Sequence, residues 1–345
     1  MFKKRDILLL LGCSIIVFFL FVLNIAMGSV DISIAKIFHL FMGSEEDRIT
    51  TNIIFNSRIP QALTAVLAGA ALSIGGLQMQ TLFRNPLAGP SILGISSGAS
   101  LGVAFVILAS GSFGGFAMST LGIFGNIAVT LASFIGAISV LMFVVFLAGK
   151  VRGNATLLIL GIMVGYTANS VVSMLKFYSL EEDVHAYVIW GLGSFSKVSA
   201  SHITTFAVII LLAILSSFLL VKKLNLLMLG ENYARNLGVN IKSARLFIIM
   251  SSGILTATVT AYCGPIIFIG LAVPHIARLV FMASDHRVLL PATALIGSCV
   301  ALFCSLVARM PGFDGALPIN SVTSFVGAPV VVWVLLRKRK SEIVD

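Results

Sequence analysis

Charge is scarce in this sequence. Asp, Glu, Lys and Arg together make up 10% of its 345 residues, against roughly 25% in soluble domains. Apolar residues make up 58% and mean hydropathy is +1.07. A water-soluble fold of that composition would expose large apolar patches and aggregate. Cysteine is sparse as well. Cys13, Cys263, Cys299 and Cys304 each sit inside an apolar run and none forms a C-x-x-C pair. That excludes a disulfide framework and gives no metal-site spacing, leaving four small buried hydrophobes. Also missing are H-E-x-x-H, G-x-S-x-G and the phosphate loop G-x-x-x-x-G-K-[ST]. No carboxylate falls well inside an apolar run, where ion-coupled transporters keep theirs, and there is no charge ring or carbonyl-filter motif of a channel. The chain therefore neither hydrolyses nucleotide nor shows an ion-coupling site, and uphill movement would need energy from a partner. His275 and His286 have no Cys, His or Glu at ligand spacing, so they read as structural or interfacial histidines.

What is present is apolar length. A helix crosses the hydrocarbon with about 20 apolar residues, and runs of that kind lie near 7–27, 61–81, 92–110, 119–148, 154–174, 203–221, 243–263, 266–282, 288–308 and 319–336. The expectation is an all-α integral membrane protein of about ten transmembrane helices in one domain. Gly264 and Pro265 separate the seventh run from the eighth. Pro86 and Pro90 mark a tight turn after the second, and the 119–148 run is long enough to include a short surface helix. The first run follows "MFKKRD" but is longer than a signal-peptide core and has no small-x-small cleavage site. "LLGC" is followed by ten more apolar residues where a lipoprotein would turn polar. The run reads as a retained first span entering from the cytoplasm.

Ten spans put both termini on the cytoplasmic side. Of the 23 basic residues, only Lys36, Arg48, Arg58, Lys176, Lys197 and Arg309 then fall outside, as the positive-inside rule requires. Of the 13 acids, Asp31, Glu45, Glu46, Asp47, Glu181, Glu182, Asp183 and Asp314 fall outside. The net charge of +10 is thus topological, and no nucleic-acid partner is needed to explain it.

Two local patterns stand out. Gly94, Gly98 and Gly102 recur every four residues, as do Gly161 and Gly165, a spacing that lets helix backbones approach closely in lipid. The longest polar stretch on the inner side is "KKLNLLMLGENYARNLGVNIKSAR", 222–245. In it Leu229, Tyr233 and Leu237, with Ala234 beside them, mark one apolar face of a short helix bracketed by Gly230 and Gly238. Such a helix can lie on lipid or dock in a groove of a cytoplasmic protein. The residues alone leave both readings open.

Several stretches together resemble the FecCD/BtuC-type permease subunits of binding-protein-dependent ABC importers for iron chelates, heme and cobalamin. They are "RIPQALTAVLAGAALSIGGLQMQTLFRNPLAGPSILGISSGAS" (58–100), "LGENYARNLGV" (229–239), "GPIIFIGLAVPHIARL" (264–279), "DHRVLLP" (285–291) and "LPINSVTSFVGAP" (317–329). The similarity runs over nearly the whole chain. It implies a BtuC-like (type II) permease fold in a bacterial inner membrane, working as a homodimer. Two separate ATPase subunits, which hold ATP and Mg, would dock inside, and a periplasmic or surface binding protein outside. It implies no cofactor or metal in this chain. Within the coupling segment 224–240, Gly230, Glu231, Ala234, Leu237, Gly238 and Val239 match the residues that meet the ATPase. Arg58 and Arg309 match outer arginines that pair with glutamates of the binding protein. The cargo implied is an iron(III)-siderophore first, then heme or cobalamin, and more remotely a molybdenum oxyanion. The sequence departs from the family at Gln61, where a second arginine is usual, at Ser305, where an acid is common, and at Ala316 and Asn320. The rivals from other classes are an ion-coupled secondary transporter, which would need an intramembrane carboxylate, and a structural or sensory membrane subunit.

Overall fold

The computed structural model describes residues 3–28, 30, 32–33, 36–37, 40, 42, 48–112, 122–151, 153–309 and 316–342. The expected outer acids Asp31, Glu45, Glu46, Asp47 and Asp314, the basic Arg152, and positions 119–121 of the fourth run lie outside them. The described residues form helices and no strand. In chain order these are α1 (Lys4–Ala26), α2 (Arg48–Ile53), α3 (Ile59–Phe83), α4 (Ile95–Ser112), α5 (Gly122–Lys150), α6 (Asn154–Tyr178), α7 (Glu181–Gly191), α8 (Ala200–Phe218), α9 (Val221–Met228), α10 (Glu231–Asn236), α11 (Ile241–Cys263), α12 (Ile269–Phe281), α13 (His286–Ala308) and α14 (Ile319–Glu342).

Each of the ten apolar runs falls on a helix, but among the described residues only seven helices are long and apolar enough to cross a bilayer by themselves. The apolar parts of the other three are short: Ile95–Ala109, Ile269–Phe281 and Ile319–Trp333. The reasons differ. α12 has 13 residues, about 20 Å at 1.5 Å per residue, because Gly264, Pro265 and a positive φ at Phe268 (69°) delay its start. α14 loses its apolar character at the run Arg337–Lys340. The shown architecture is therefore an all-α multi-pass membrane fold in which three apolar helices fall short of a full span. The fourth run is a single helix of 29 residues, about 44 Å, with no separate surface helix among the described residues.

The chain divides into two compact units, Met1–Ser73 with Ser194–Leu211 and Ile267–Asp345, and Ile74–Gly193 with Leu212–Ile266. In the first, α1 packs on α13 and α12 on α13 and α14. α3 meets α13 backbone to backbone. A Cβ on Gly69 would stand 2.3 Å from the Gly297 carbonyl oxygen, and one on Gly297 only 2.1 Å from the Ser73 hydroxyl. The Ser298 hydroxyl donates to the Val66 carbonyl (2.9 Å) across the same contact. At the other end of this unit, the Arg5 guanidinium donates to the Phe281 carbonyl (2.6 Å), capping the C-terminus of α12 where cations are favoured.

In the second unit the apolar core joins α4, α5, α6, α7, α9 and α11. The glycine stripe of α4 lies against α5. A Cβ on Gly98 would stand 2.6 Å from the Gly136 carbonyl oxygen, and one on Gly102 would stand 2.1 Å from that of Ala132. Gly94, at φ 76°, stands just before α4 and faces Gly161 and Gly165 of α6 instead, so the spacing noticed in the sequence divides between two contacts. Polar side chains inside the apolar helices bond one another across the unit, although the Gln78 carbonyl oxygen and the Ser133 and Thr258 hydroxyls are buried with no partner among the described residues. The Gln78 amide donates to the Ser251 hydroxyl (3.0 Å), which also bonds Ser217 (3.0 Å), and the Ser252 hydroxyl donates to the Gly75 carbonyl (3.1 Å). All four cysteines are free thiols.

Candidate functional site

The segment 222–245, expected on the inner side, folds as two short helices and a return. α9 buries Val221, Leu224 and Leu227. Gly230, at φ 114°, then breaks the chain direction before α10, a helix of six residues. A second positive φ at Gly238 (83°) ends α10, with the Gly238 and Val239 amides donating back to the carbonyls of Arg235 and Ala234. Asn240 caps α11 by accepting from the Ser243 amide (3.1 Å). Because Gly230 interrupts the helix, Leu229 belongs to the end of α9, and the expected three-residue face reduces to Tyr233 and Leu237. All three side chains are nevertheless exposed, at 61%, 55% and 54%, while Ala234 is fully buried. A six-residue helix has too few internal hydrogen bonds to stand alone. Ala234 and Glu231 hold it.

Glu231 points inward. Its Oε1 accepts from the Asn154 amide (2.8 Å) and from an Arg245 guanidinium nitrogen (3.2 Å). Asn154, the first residue of α6, also donates to the Leu82 carbonyl near the end of α3 (2.9 Å). Arg245, 5% exposed, also donates to the Val151 carbonyl just past α5 (3.3 Å). Of the segment's candidate residues, Leu237 and Gly238 are therefore on the surface, Gly230 and Val239 half-buried, and Glu231 and Ala234 turned toward the body of the unit. The sequence reading passed over Asn154 and Arg245. The signal available was a charged residue one turn inside α11, where lipid-spanning helices rarely carry one.

Arg58 and Arg309, the arginines expected on the outer face, lie together at the end of α1. Arg58 is 3% exposed. It occupies a π-helical turn, Ile54–Arg58, that leads into α3. Its guanidinium donates to the carbonyls of Ile25 (2.7 Å), Ala26 (2.8 Å) and Val30. Gly28 lies close against it, where a Cβ would stand 3.0 Å from the guanidinium. Arg309 caps α13 and is only half-buried. It donates to the side chains of Asn24 (2.6 Å), Gln61 (3.1 Å) and Ser305 (3.3 Å). Two of the departures from the family pattern, Gln61 and Ser305, therefore touch one guanidinium. Both are neutral, and Arg309 has no carboxylate partner among the described residues. Burial, and after it the Arg58 charge, push the Arg309 guanidinium down to about 10, so it stays cationic at neutral pH. Asn320, another departure, accepts from the Ile267 amide (3.1 Å). Among the described residues no three His, Cys, Asp or Glu side chains gather to hold a metal ion.

Comparison with known proteins follows the same outline. The FecCD transport family matches residues 16–337. The hemin transport system permease protein HmuU of Yersinia pestis is 34% identical over 334 residues, 96% of each chain. The vitamin B12 import system permease protein BtuC of Klebsiella pneumoniae subsp. pneumoniae is 37% identical over 288 residues, 83% of each. A solved inward-facing structure of a metal-chelate type ABC transporter superposes with a TM-score of 0.81 at 30% identity, covering 95% of this chain and 98% of that one.

Proposed function

Since the chain belongs to the FecCD transport family, we propose that it is the membrane-spanning permease subunit of an ATP-driven importer that brings a metal chelate into the cytoplasm. The observation that carries this is the family match from residue 16 to 337, with fold agreement over nearly the same length. In this reading the ten apolar helices all cross the bilayer, the short ones completed by their flanking residues, and both termini are cytoplasmic. Two copies form the permease. The chain is not itself catalytic: ATP is hydrolysed on separate subunits docked against the 229–239 segment, and the exposed Tyr233 and Leu237 support that placement. An iron(III)-siderophore is one cargo. The hemin and vitamin B12 named for the two relatives bring heme and cobalamin level with it.

On the outer face the binding protein would meet Arg309, half-exposed and with no carboxylate among the described residues, while Arg58 is held in its cage of carbonyls. A rim charge steers and orients docking more than it adds affinity. Arg309→Glu is thus expected to slow association with the binding protein most at low salt. Arg58→Gln is expected instead to lower the thermal midpoint, costing about 3 kcal/mol for the loss of ionic hydrogen bonds to three carbonyls. Unchanged association of the Arg309→Glu permease at low salt would remove this residue from the docking surface.

Uptake tests the main reading. Labelled ferric siderophores, heme and cobalamin are offered to a strain lacking this gene and other chelate importers, with and without a plasmid copy. Loss of one chelate, restored by the plasmid, is the expected result. Equal entry of every chelate with and without the gene would refute the importer reading.

A further inference from the structure

The segment 222–245 contains a buried polar network that a surface-docking role for α10 does not require. One oxygen of Glu231 holds Asn154 and Arg245. Each of those donors holds a second helix end, Asn154 the Leu82 carbonyl of α3 and Arg245 the Val151 carbonyl after α5. A single carboxylate on a six-residue helix is thereby tied to the inner ends of α3, α5, α6 and α11. Elsewhere α10 is attached through Ala234, through backbone turns at its own ends, and through its two flanking connections.

The network is also incomplete. Arg245 Nε and Asn154 Oδ1 are buried and have no hydrogen-bond partner. A half-satisfied buried network is costly if its only purpose is to hold a shape. The two idle atoms are complementary, an N–H donor and a carbonyl acceptor, and both belong to side chains already gathered on Glu231. A bond between them would give the set a second hydrogen-bonded arrangement once the Glu231 carboxylate withdraws, and a two-state element of that kind can carry energetic coupling between sites.

Resting on the reading of α10 as the ATPase-docking helix, we propose that Arg245 and Asn154 are positioning residues that pass the displacement of α10 to the inner ends of α3, α5, α6 and α11. Neither residue touches the ATPase or the cargo. Their effect is on how much transport each hydrolysed ATP produces.

The test uses the full complex of permease, ATPase and binding protein in liposomes, with Arg245→Gln, Arg245→Lys and Asn154→Ala. The ATPase is expected to co-purify at wild-type stoichiometry and to turn over ATP at the wild-type basal rate. Cargo moved per ATP is expected to fall about tenfold, within the range of ordinary allosteric coupling. Arg245→Lys keeps the charge but lacks the fork that reaches Glu231 and Val151 together, so it answers the question if the glutamine variant does not fold. Wild-type transport per ATP in a folded Arg245 variant or in Asn154→Ala would overturn the proposal. So would loss of the ATPase from folded permease, which would reduce both residues to holding the docking surface in shape. Failure of the docking reading is distinguishable, because the ATPase would then stay bound when Tyr233 and Leu237 are changed.

Discussion

Gly136→Leu is expected to leave no folded protein. Gly136 lies on α5 against the glycine stripe of α4. Its missing Cβ would stand 2.2 Å from the Gly98 carbonyl oxygen and 3.1 Å from the Gly102 amide nitrogen. Those are backbone atoms of a helix, and they cannot move aside one at a time. Even an alanine would have to push the two helices apart along their contact, and that contact is the most extensive helix pairing in its unit. Overpacking a well-filled interior costs about 1–3 kcal/mol and occasionally more. Leucine adds three further carbons at a place where no side chain can yield. In lipid the loss is aggravated, because close packing replaces the hydrophobic drive between helices. Gly136→Leu should therefore give no monodisperse peak in detergent, and Gly136→Ala a lowered thermal midpoint. Gly149→Ala supplies the comparison: it lies on the same helix with nothing within 4 Å of its Cβ position and should be silent. A wild-type midpoint for Gly136→Leu would show that the α4–α5 contact is looser than described.

The second large effect is expected at the inner surface. Tyr233→Glu combined with Leu237→Glu should abolish co-purification of the ATPase and bring chelate uptake to background, with the thermal midpoint unchanged. Both side chains are more than half exposed, so charging them leaves the fold alone. At an interface an aromatic anchor of this kind is commonly worth about 2 kcal/mol or more, and two carboxylates add a desolvation cost. Deleting 229–239 is a poorer test. It removes Glu231 and leaves the buried Arg245 without its carboxylate, which costs stability as well as contact. Lost docking could not then be separated from lost structure. Gly238→Trp has the same fault, since φ at that position is 83°. Retention of the ATPase by the Tyr233→Glu, Leu237→Glu permease would dismiss α10 as the docking helix.

Much of the helix order was legible because hydropathy is a local property. A run of apolar residues announces a helix in lipid wherever its partners lie, and Gly264–Pro265 announces a break. The shortness of α12 was less legible: "GPIIFIG" reads as apolar throughout, and only the backbone shows that its first residues are not helical. The glycine stripe of α4 could be read from its spacing, but not its partner. Gly136 has no glycine three or four residues away on α5, and Gly69 and Gly297 are 228 positions apart, so neither contact shows as a repeat. Charge gave an expectation of sidedness but no contact. Arg58 and Arg309 were expected on one side of the membrane, while the carbonyls, Asn24 and Gln61 that surround them belong to other segments. Glu231 is the clearest case. In sequence it is an exposed-looking acid between glycine and asparagine, and its partners lie 77 and 14 residues away.

The hydrogen bond from Gln78 to Ser251 sets a problem for the ribosome. The two residues are 173 positions apart. At about 5–20 residues per second, α3 is complete roughly 9–35 s before the partner of its glutamine exists. Throughout that interval an amide five residues from the end of an apolar helix lacks that partner, and an unsatisfied polar group in lipid costs several kcal/mol. α3 must therefore be sheltered by the insertion machinery, or wait at its wet mouth, until α11 arrives. The order in which this permease is built is not the order in which its helices are written.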